Sequence, residues 1–372
     1  MKNIKRLIAI AISVALLASC SSNTTTSNAP SASPSPTTEA TDTASKELKP
    51  VKVQLSFLMQ SLDAPLILAI NKGYFKEEGL DVTYERGFGN VDTVSKLGSG
   101  AFDISFSDMY NTLDFNSKNP NDQIMAVAVY QNKAPFAIVA LKDKGINSLK
   151  DLTGKNLGAP AGDGPRKLFP LLAQEVNLDP NSVKWTTMEP KLRETFLLQG
   201  KVDAVSAFAP SAVPALIKAG KKPDDINVFY YTDNGLDFYG NGILVKKAFA
   251  EKNPEIVKAF VRAYIRGFQD MIKDPTAALD AVQAADPSKL MDRESEKIRL
   301  QTVLDKGFIT PEVETLGIGA VEPKRLQTSI DQTVQGFGIK TNPTVADIYT
   351  DQYLPQREQR QLPPASERKP LQ

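Results

Sequence analysis

VKVQLSFLMQSLDAPLILAINKGYFKEEGLDVTY, residues 51–84, decides how the rest of the chain is read. Val51, Val53, Leu55 and Phe57 alternate with polar residues, the period of a strand with one buried face. A polar loop runs from Gln60 to Asp63, and Asp63 can cap a helix that carries Pro65 in its first turn. Leu66, Ile67, Ala69 and Ile70 give that helix its apolar stripe, and Gly73 suits a left-handed stop. Gly79 turns the chain into a second strand, Leu80 to Tyr84. A strand that feeds a helix N-terminus aims backbone N–H groups at the loop between them, which makes a place for a ligand. The same unit also serves as an ordinary βαβ element without a site.

The wider chain sets bounds. Its 372 residues, 41% of them hydrophobic, can fill more than one core, which points to two lobes or domains. A formal net charge of +1 leaves no electrostatic footprint for nucleic acid. There is no histidine and one cysteine. That excludes Ser-His-Asp and Cys-His catalysis, histidine metal sites, cysteine zinc sites and disulfides. Carboxylate catalysis and Mg²⁺ or Ca²⁺ sites survive the exclusion, yet no EF-hand loop, Walker A loop or HExxH motif is present.

Residues 1–20 read as a targeting segment. Lys2, Lys5 and Arg6 form a basic start, and the apolar run from Leu7 to Ala18 is too short for a stable membrane span. It ends in Leu17-Ala18-Ser19-Cys20, the pattern of a bacterial lipobox, where the cysteine is lipidated and becomes the mature N-terminus. A plain signal peptide with an incidental cysteine fits the same residues; the placing of the sole cysteine here favours lipidation at Cys20. Residues 21–50 are mostly Ser, Thr, Pro and Ala, cannot bury enough surface to fold, and read as a disordered tether. Residues 355–372 have the same disordered composition.

Between these ends strands and helices alternate. Asn90 or Asp92 opens a short helix that stops near Gly98 and Gly100, and the strand Ala101 to Ser107 runs into a helix that Ser107 or Asp108 can cap. Ile124 to Val129 and Phe136 to Leu141 read as buried strands, and Ser148 to Gly154 as a one-turn helix. Leu157 to Ala159, Val183 to Thr187 and Val202 to Phe208 are further strands, with helices opened at Gly162 to Arg166 and at Pro190. This alternation implies α/β lobes with mostly parallel sheets flanked by helices. After Gly235 the pattern changes: Tyr239 to Val245 is a strand, and Asn253-Pro254-Glu255 starts a strongly amphipathic helix.

Five segments now combine: GYFKEEGLDV at 73–82, GAFDISFSD at 100–108, SLKDLTGKNLGAP at 148–160, LLQGKVDAVSAF at 197–208, and FYGNGILV at 238–245 followed by NPEIVKAFVRAYIRGF and DP. In this order they resemble ABC-importer substrate-binding proteins of the nitrate/sulfonate/taurine and thiamine-pyrimidine-precursor type, over roughly Val51 to Asp286. The resemblance implies a two-lobed periplasmic-binding-protein fold, type II-like, with two hinge crossovers and a small ligand enclosed between the lobes. Lobe 1 would hold residues 51–140 plus 238–354 and lobe 2 residues 141–237, with crossovers near Phe136 to Leu141 and near Asp237 to Tyr239. It further implies a monomer held on the extracytoplasmic side by its lipid, with an ABC permease and its ATPase as partners, and no cofactor, metal or catalysis. Related enzymes that build the thiamine pyrimidine use a cofactor and their own histidine, which this chain lacks. A two-carboxylate hydrolase and a ligand sensor without a transport role also stay open.

Loops at the carboxyl ends of parallel strands face the crevice. Lobe 1 offers Phe57, Gln60, Leu62, Phe88, Asn90, Ser105, Ser107 and Asp108 as ligand contacts; lobe 2 offers Asp163, Arg166, Glu189 and Phe208; the second crossover offers Asp237 and Tyr239. Several have plainer roles open to them: Asp108 as a helix cap, Asp163 as turn chemistry, Arg166 as a solvated first-turn residue, Phe57 as core. An anionic ligand such as a sulfonate or nitrate would use Ser105, Ser107, Arg166 and the Gly162–Gly164 loop. A nitrogenous heteroaromatic ring would use Phe57, Phe88, Phe208, Tyr239 and a carboxylate, Asp108 or Asp237. Acids outnumber the one arginine in this set, and unpaired buried carboxylates repel anions, so the balance favours a pyrimidine-like ring.

Overall fold

The computed structural model describes residues 47–289 and 291–372. The targeting segment, Cys20 and the tether as far as residue 46 lie outside the described residues. The folded body is the compact unit Lys46–Gln372.

The opening stretch forms the expected strand, helix and turn, but Phe57 lies past the end of the first strand and is 44% exposed, and the Asp63 side chain makes no cap to the helix after it, accepting instead from Gln60 N. β1 (Lys49–Gln54) buries Val51 and Val53, and a 3-10 turn at Ser61–Asp63 leads into α1 (Ala64–Asn71). Gly73, at φ +75°, turns the chain into the short α2 (Tyr74–Glu77) before β2 (Leu80–Glu85). α3 (Asn90–Gly98), β3 (Ile104–Asp108), α4 (Met109–Lys118) and β4 (Ile124–Val129) follow. Next come β5 (Phe136–Leu141), β6 (Asn156–Ala159), α5 (Gly164–Glu175), β7 (Lys184–Thr187), α6 (Arg193–Leu198), β8 (Ala204–Phe208), α7 (Ala209–Lys218) and β9 (Ile226–Tyr230). β10 (Asn241–Lys246) returns to the first sheet. The remainder is helical: α8 (Lys247–Lys252), α9 (Pro254–Lys273), α10 (Pro275–Ala285), α11 (Arg293–Val303), a π turn at Leu304–Phe308, α12 (Pro311–Leu316), α13 (Pro323–Phe337) and α14 (Val345–Ile348).

Two five-stranded sheets result, in the orders β2-β1-β3-β10-β4 and β7-β6-β8-β5-β9. In each, four strands run the same way and one, β10 or β5, runs against them. The two orders correspond position for position, so the two lobes of this α/β fold share one plan. The sheets are therefore mixed, with the reversed strand in each arriving after a crossover. Phe136–Leu141 pairs along its length with β8 and β9, which places it in the second sheet rather than at the end of the first lobe. The first crossover is thus residues 130–135, and the second, residues 231–240, contains Asp237, Phe238 and Tyr239.

The first sheet's core rests on α9. Phe260, Tyr264 and Phe268 are buried, with Phe75 stacked on Phe260 at 4.9 Å and Phe106 beside Tyr264 at 5.2 Å. A Cβ on Gly267 would stand 2.0 Å from the Pro65 carbonyl oxygen, so glycine is what lets α9 lie against α1. The outer face explains the acidic pair in GYFKEEGLDV: Arg262 pairs with Glu78 at 2.6 Å and Arg266 with Glu77 at 2.7 Å.

Residues 355–372 differ from their disordered reading. Gln269 Nε2 donates to the carbonyls of Gln359 and Gln361, Lys369 N donates to Lys273 O, and Leu362 and Leu371 pack on the core. The tail is held through backbone groups by partners on α9, which composition does not report.

Candidate functional site

At the carboxyl ends of β1, β2 and β3 three loops are laced together. Gly87 N donates to Phe57 O at 2.9 Å and Gly89 N to Ser56 O at 3.0 Å. A Cβ on Gly87 would meet Leu55 O at 2.1 Å, so that close approach requires glycine. The lacing pushes apolar side chains outward: Phe57, Leu58, Phe88 and Val91 are the exposed large hydrophobics among the described residues, Phe88 the most at 63%. Exposed apolar side chains of this kind are what a binding face presents. The Arg86 guanidinium lies 4.3 Å from the Phe88 ring centre and 5.9 Å from that of Phe57, and its Nε donates to Gly87 O.

Asp108 sits below this face, almost fully buried. One oxygen accepts from Asn111 N at 2.8 Å, capping α4, and the carboxylate also accepts from the Asn111 and Asn90 side-chain amides. Burial raises its pKa and these donors oppose the rise. Ser107 Oγ donates to Asn90 O at 3.4 Å. Ser105 is wholly buried next to Gln54 in the β1–β3 register, and neither its hydroxyl nor the Gln54 amide has a partner among the described residues.

The second sheet repeats the device. Asp163 caps α5 by accepting from Arg166 N at 3.1 Å, and it accepts from Ser206 Oγ at 2.5 Å. Burial raises its pKa, with Ser206, Arg193 and Arg166 acting the other way. Arg166 donates from Nη1 to Thr187 Oγ1 at 2.9 Å and lies 4.9 Å from the centre of Trp185. Phe208 is half-buried against Phe136 at 5.0 Å. Glu189 is exposed and makes no side-chain cap.

The two sets of strand ends are bridged in two places. Tyr110, at the start of α4, packs on Phe136 and Phe238 at 5.1 and 5.2 Å. On another side, Glu296 of α11 accepts from Ser61 N at 2.7 Å, while Arg299, paired with Glu296 at 3.1 Å, donates to Pro210 O and Ser211 Oγ at the start of α7. Asp63 shares this corner. Loss of hydration lifts its carboxyl from 3.8 to about 7, with the Gln60 backbone N–H opposing, Glu296 adding to the rise and Arg299 opposing it.

Asp237 and Tyr239 belong to the crossover rather than to the strand-end loops. Arg325 donates to Asn132 O and to Asp237 Oδ1, both at 2.8 Å, pairs with Glu312 at 3.0 Å, and stands 4.0 Å from the Tyr239 ring centre. The buried Tyr239 donates its hydroxyl to Glu312. Leu62 packs on the first core, and Gln60 is held by its backbone N–H to Asp63 Oδ2 at 2.9 Å.

Phe57, Phe88, Asn90, Ser107 and Asp108 therefore come together on the first lobe, and Asp163 and Arg166 on the second. Sequence reasoning missed Arg86, Ser206, Glu296, Arg299 and Arg325, and it read Asp63 only as a helix cap, a bond its side chain does not make. Arg86 carried a usable signal, since it stands between a strand end and Gly87-Phe88-Gly89. The pair Glu296 and Arg299 looks in sequence like any surface ion pair on a polar helix. A separate groove of about 390 Å³ lies between α9 and the tail, but its Tyr74, Asp270, Lys273 and Glu367 are paired with one another or with neighbours. Among the described residues no cluster of acids could hold a metal ion, and no helix is long and apolar enough to cross a membrane.

With this geometry in place, the chain can be set beside known proteins. It is 26% identical over 324 residues to the riboflavin-binding protein RibY of Chloroflexus aurantiacus, covering 86% of this chain and 90% of that one. It is 26% identical over 246 residues to the formylaminopyrimidine-binding protein of Halalkalibacterium halodurans, covering 65% and 73%. In fold it is similar to the periplasmic aliphatic sulphonate binding protein SsuA of Escherichia coli, with a TM-score of 0.61 at 14% identity, covering 85% of this chain and 93% of that one. These relatives carry the names of binding proteins, while others, such as those of Aspergillus parasiticus and Legionella pneumophila at 26% and 22% identity, are named 4-amino-5-hydroxymethyl-2-methylpyrimidine phosphate synthase. The two-lobed fold is that of periplasmic binding proteins. The family model described as "NMT1/THI5 like" matches residues 61–278, and the chain belongs to that family.

Proposed function

We propose that this protein is the extracytoplasmic substrate-binding component of an ABC importer, lipid-anchored at Cys20, and that it captures a nitrogenous heteroaromatic solute. The solute is held between the carboxyl ends of the two sheets and handed by a monomeric receptor to a permease driven by its ATPase. Its role is capture, without catalysis. The observation that carries this reading is the apolar face of Phe57, Leu58, Phe88 and Val91 at the strand ends of the first lobe. A flat ring offers such a face more buried area than a sulfonate or nitrate does. The helix N-termini of α4 and α5 also support it, because Asp108 and Asp163 already accept N–H groups that an anion would need. The names of the riboflavin- and formylaminopyrimidine-binding relatives agree with a ring ligand.

Capture would follow population shift: a ligand that touches both lobes favours the closed arrangement by its differential affinity. The test is a thermal-shift screen of the full-length chain with taurine, alkanesulfonates, nitrate, aminopyrimidines, riboflavin, purines and aromatic acids. A rise in melting temperature confined to ring compounds supports the reading. A rise confined to sulfonates or nitrate overturns the ring preference in favour of an anion-binding importer component. Silence across the panel removes the solute-capture basis and turns attention to sensing.

A further inference from the structure

The charges at the strand ends do not balance. Asp108 and Asp163 are spent on helix caps and on the amides and hydroxyl that grip them. Arg86 stands exposed on the first lobe's apolar face, bonded only to a backbone carbonyl and lying over two aromatic rings. Arg166 stands at the end of β6 on the second lobe, over Trp185, held by Thr187 and Ala159 O. β2, which leads into Arg86, and β7, which carries Trp185, occupy the same edge position in the two matching sheets. Neither arginine makes an ion pair among the described residues; of the others, Arg193, Arg262, Arg266, Arg293, Arg299, Arg325 and Arg368 each do, and Arg357 and Arg360 in the tail bond backbone carbonyls instead.

We infer that the solute is a flat ring carrying an anionic group, a phosphate or carboxylate, and that Arg86 selects for that group while Phe57 and Phe88 take the ring. This rests on the capture reading above and names its substrate class. A guanidinium placed over an aromatic ring, with its Nε given to Gly87 O and its Nη groups without a hydrogen bond among the described residues, has those Nη groups to offer an oxyanion in a fork-like grip. The balance of acids over arginine seen in the sequence shifts accordingly, since Asp108 and Asp163 are taken by caps and Asp237 by Arg325, which leaves the exposed Glu189 as the remaining acid of the set. Arg166 serves the same group from the opposite lobe or a second acceptor on the same ligand.

The test uses matched probes that differ only in the anion: riboflavin against riboflavin 5′-phosphate, and 4-amino-5-hydroxymethyl-2-methylpyrimidine against its phosphate. Each is titrated into the full-length chain by calorimetry at low and high salt. The expected result is that one phosphorylated ring binds at least about tenfold more tightly than its neutral partner. That advantage should fall below about twofold in Arg86→Gln and survive in part in Arg86→Lys. Equal binding of both members of a pair, or an Arg86→Gln variant that weakens both equally, overturns the inference while leaving ring capture intact. Absence of binding by all four probes counts against both.

Discussion

Asp108 shows how a side chain can be placed correctly and still serve another master. It lies at the strand end where a ligand contact was expected, yet both carboxylate oxygens are taken by Asn90 and Asn111. Asp108→Ala is accordingly expected to lower stability by about 1–3 kcal/mol, as loss of a helix cap and of buried charged bonds should. Chemical denaturation measures this, and a change below about 0.5 kcal/mol would show that the cap contributes little. Asp63 lends itself to a pH test. Its carboxyl is raised from 3.8 to about 7, so between those values the native state binds more protons than the unfolded chain. Stability from this group is therefore full below about pH 4, falls as pH rises, and levels off above about pH 7. The groups that face it are Glu296, Arg299 and the Gln60 N–H, with the hydroxyls of Tyr84, Tyr130 and Tyr264 nearby. In Asp63→Asn the difference from the parent should grow across that window to a gain of about 1–3 kcal/mol at pH 8. A difference that stays flat from pH 4 to 8 would place the Asp63 carboxyl in ordinary hydration.

At the scale of elements, the contact between α1 and α9 invites a single-atom test. Gly267→Ala would drive a methyl into the Pro65 carbonyl, and a loss of about 3 kcal/mol is expected from the forced backbone shift. A loss under about 1 kcal/mol would mean that α9 slides without penalty. This is also the scale at which the sequence was most readable. Residues 51–84 announced their strand, helix and turn because alternation, Pro65 and Gly73 all pointed the same way. The amphipathic stripe of α9 was equally clear. Sheet membership was less so, since Phe136–Leu141 is apolar throughout and such a run does not say which sheet it joins. The docked tail escaped because its attachments run from Gln269 and Lys273 to backbone groups, which leave no trace in composition. Within the site, strand-end loops could be located from topology, and Arg86 could have been found from its place before Gly87-Phe88-Gly89, while Arg299 could not be told from a surface arginine before its neighbours were known.

At the scale of the whole molecule, the C-terminal helices tie the two sheets together. α11 reaches Ser61 on one lobe and Pro210 and Ser211 on the other through Glu296 and Arg299, whose side chains are only 8% and 11% exposed. Arg299→Ala leaves Glu296 beside Asp63 without its cation, so a loss of about 3 kcal/mol is expected. Faster amide exchange at the start of α7 should accompany it, and unchanged exchange there would show that α11 does not restrain the second lobe. Arg325 fills a similar place at the crossovers, where Asn132, Asp237, Glu312 and Tyr239 converge on it. If the proposed capture by closure moves the lobes, it would have to act against these ties, and a ligand that engages both lobes would supply the opposing free energy.

The chain's only tryptophan, Trp185, lies in β7 of the second lobe, packed on Phe169 and under Arg166, far in sequence from the Phe57 and Phe88 face. The most direct test of capture between the two lobes is Trp185 fluorescence during titration with an aminopyrimidine that raises the melting temperature. The expected result is a saturable change in emission, which is lost when Phe57 and Phe88 on the first lobe are both replaced by alanine. Stabilisation of the chain by the same ring with no change in Trp185 emission would contradict the claim, because the ring would then be bound elsewhere.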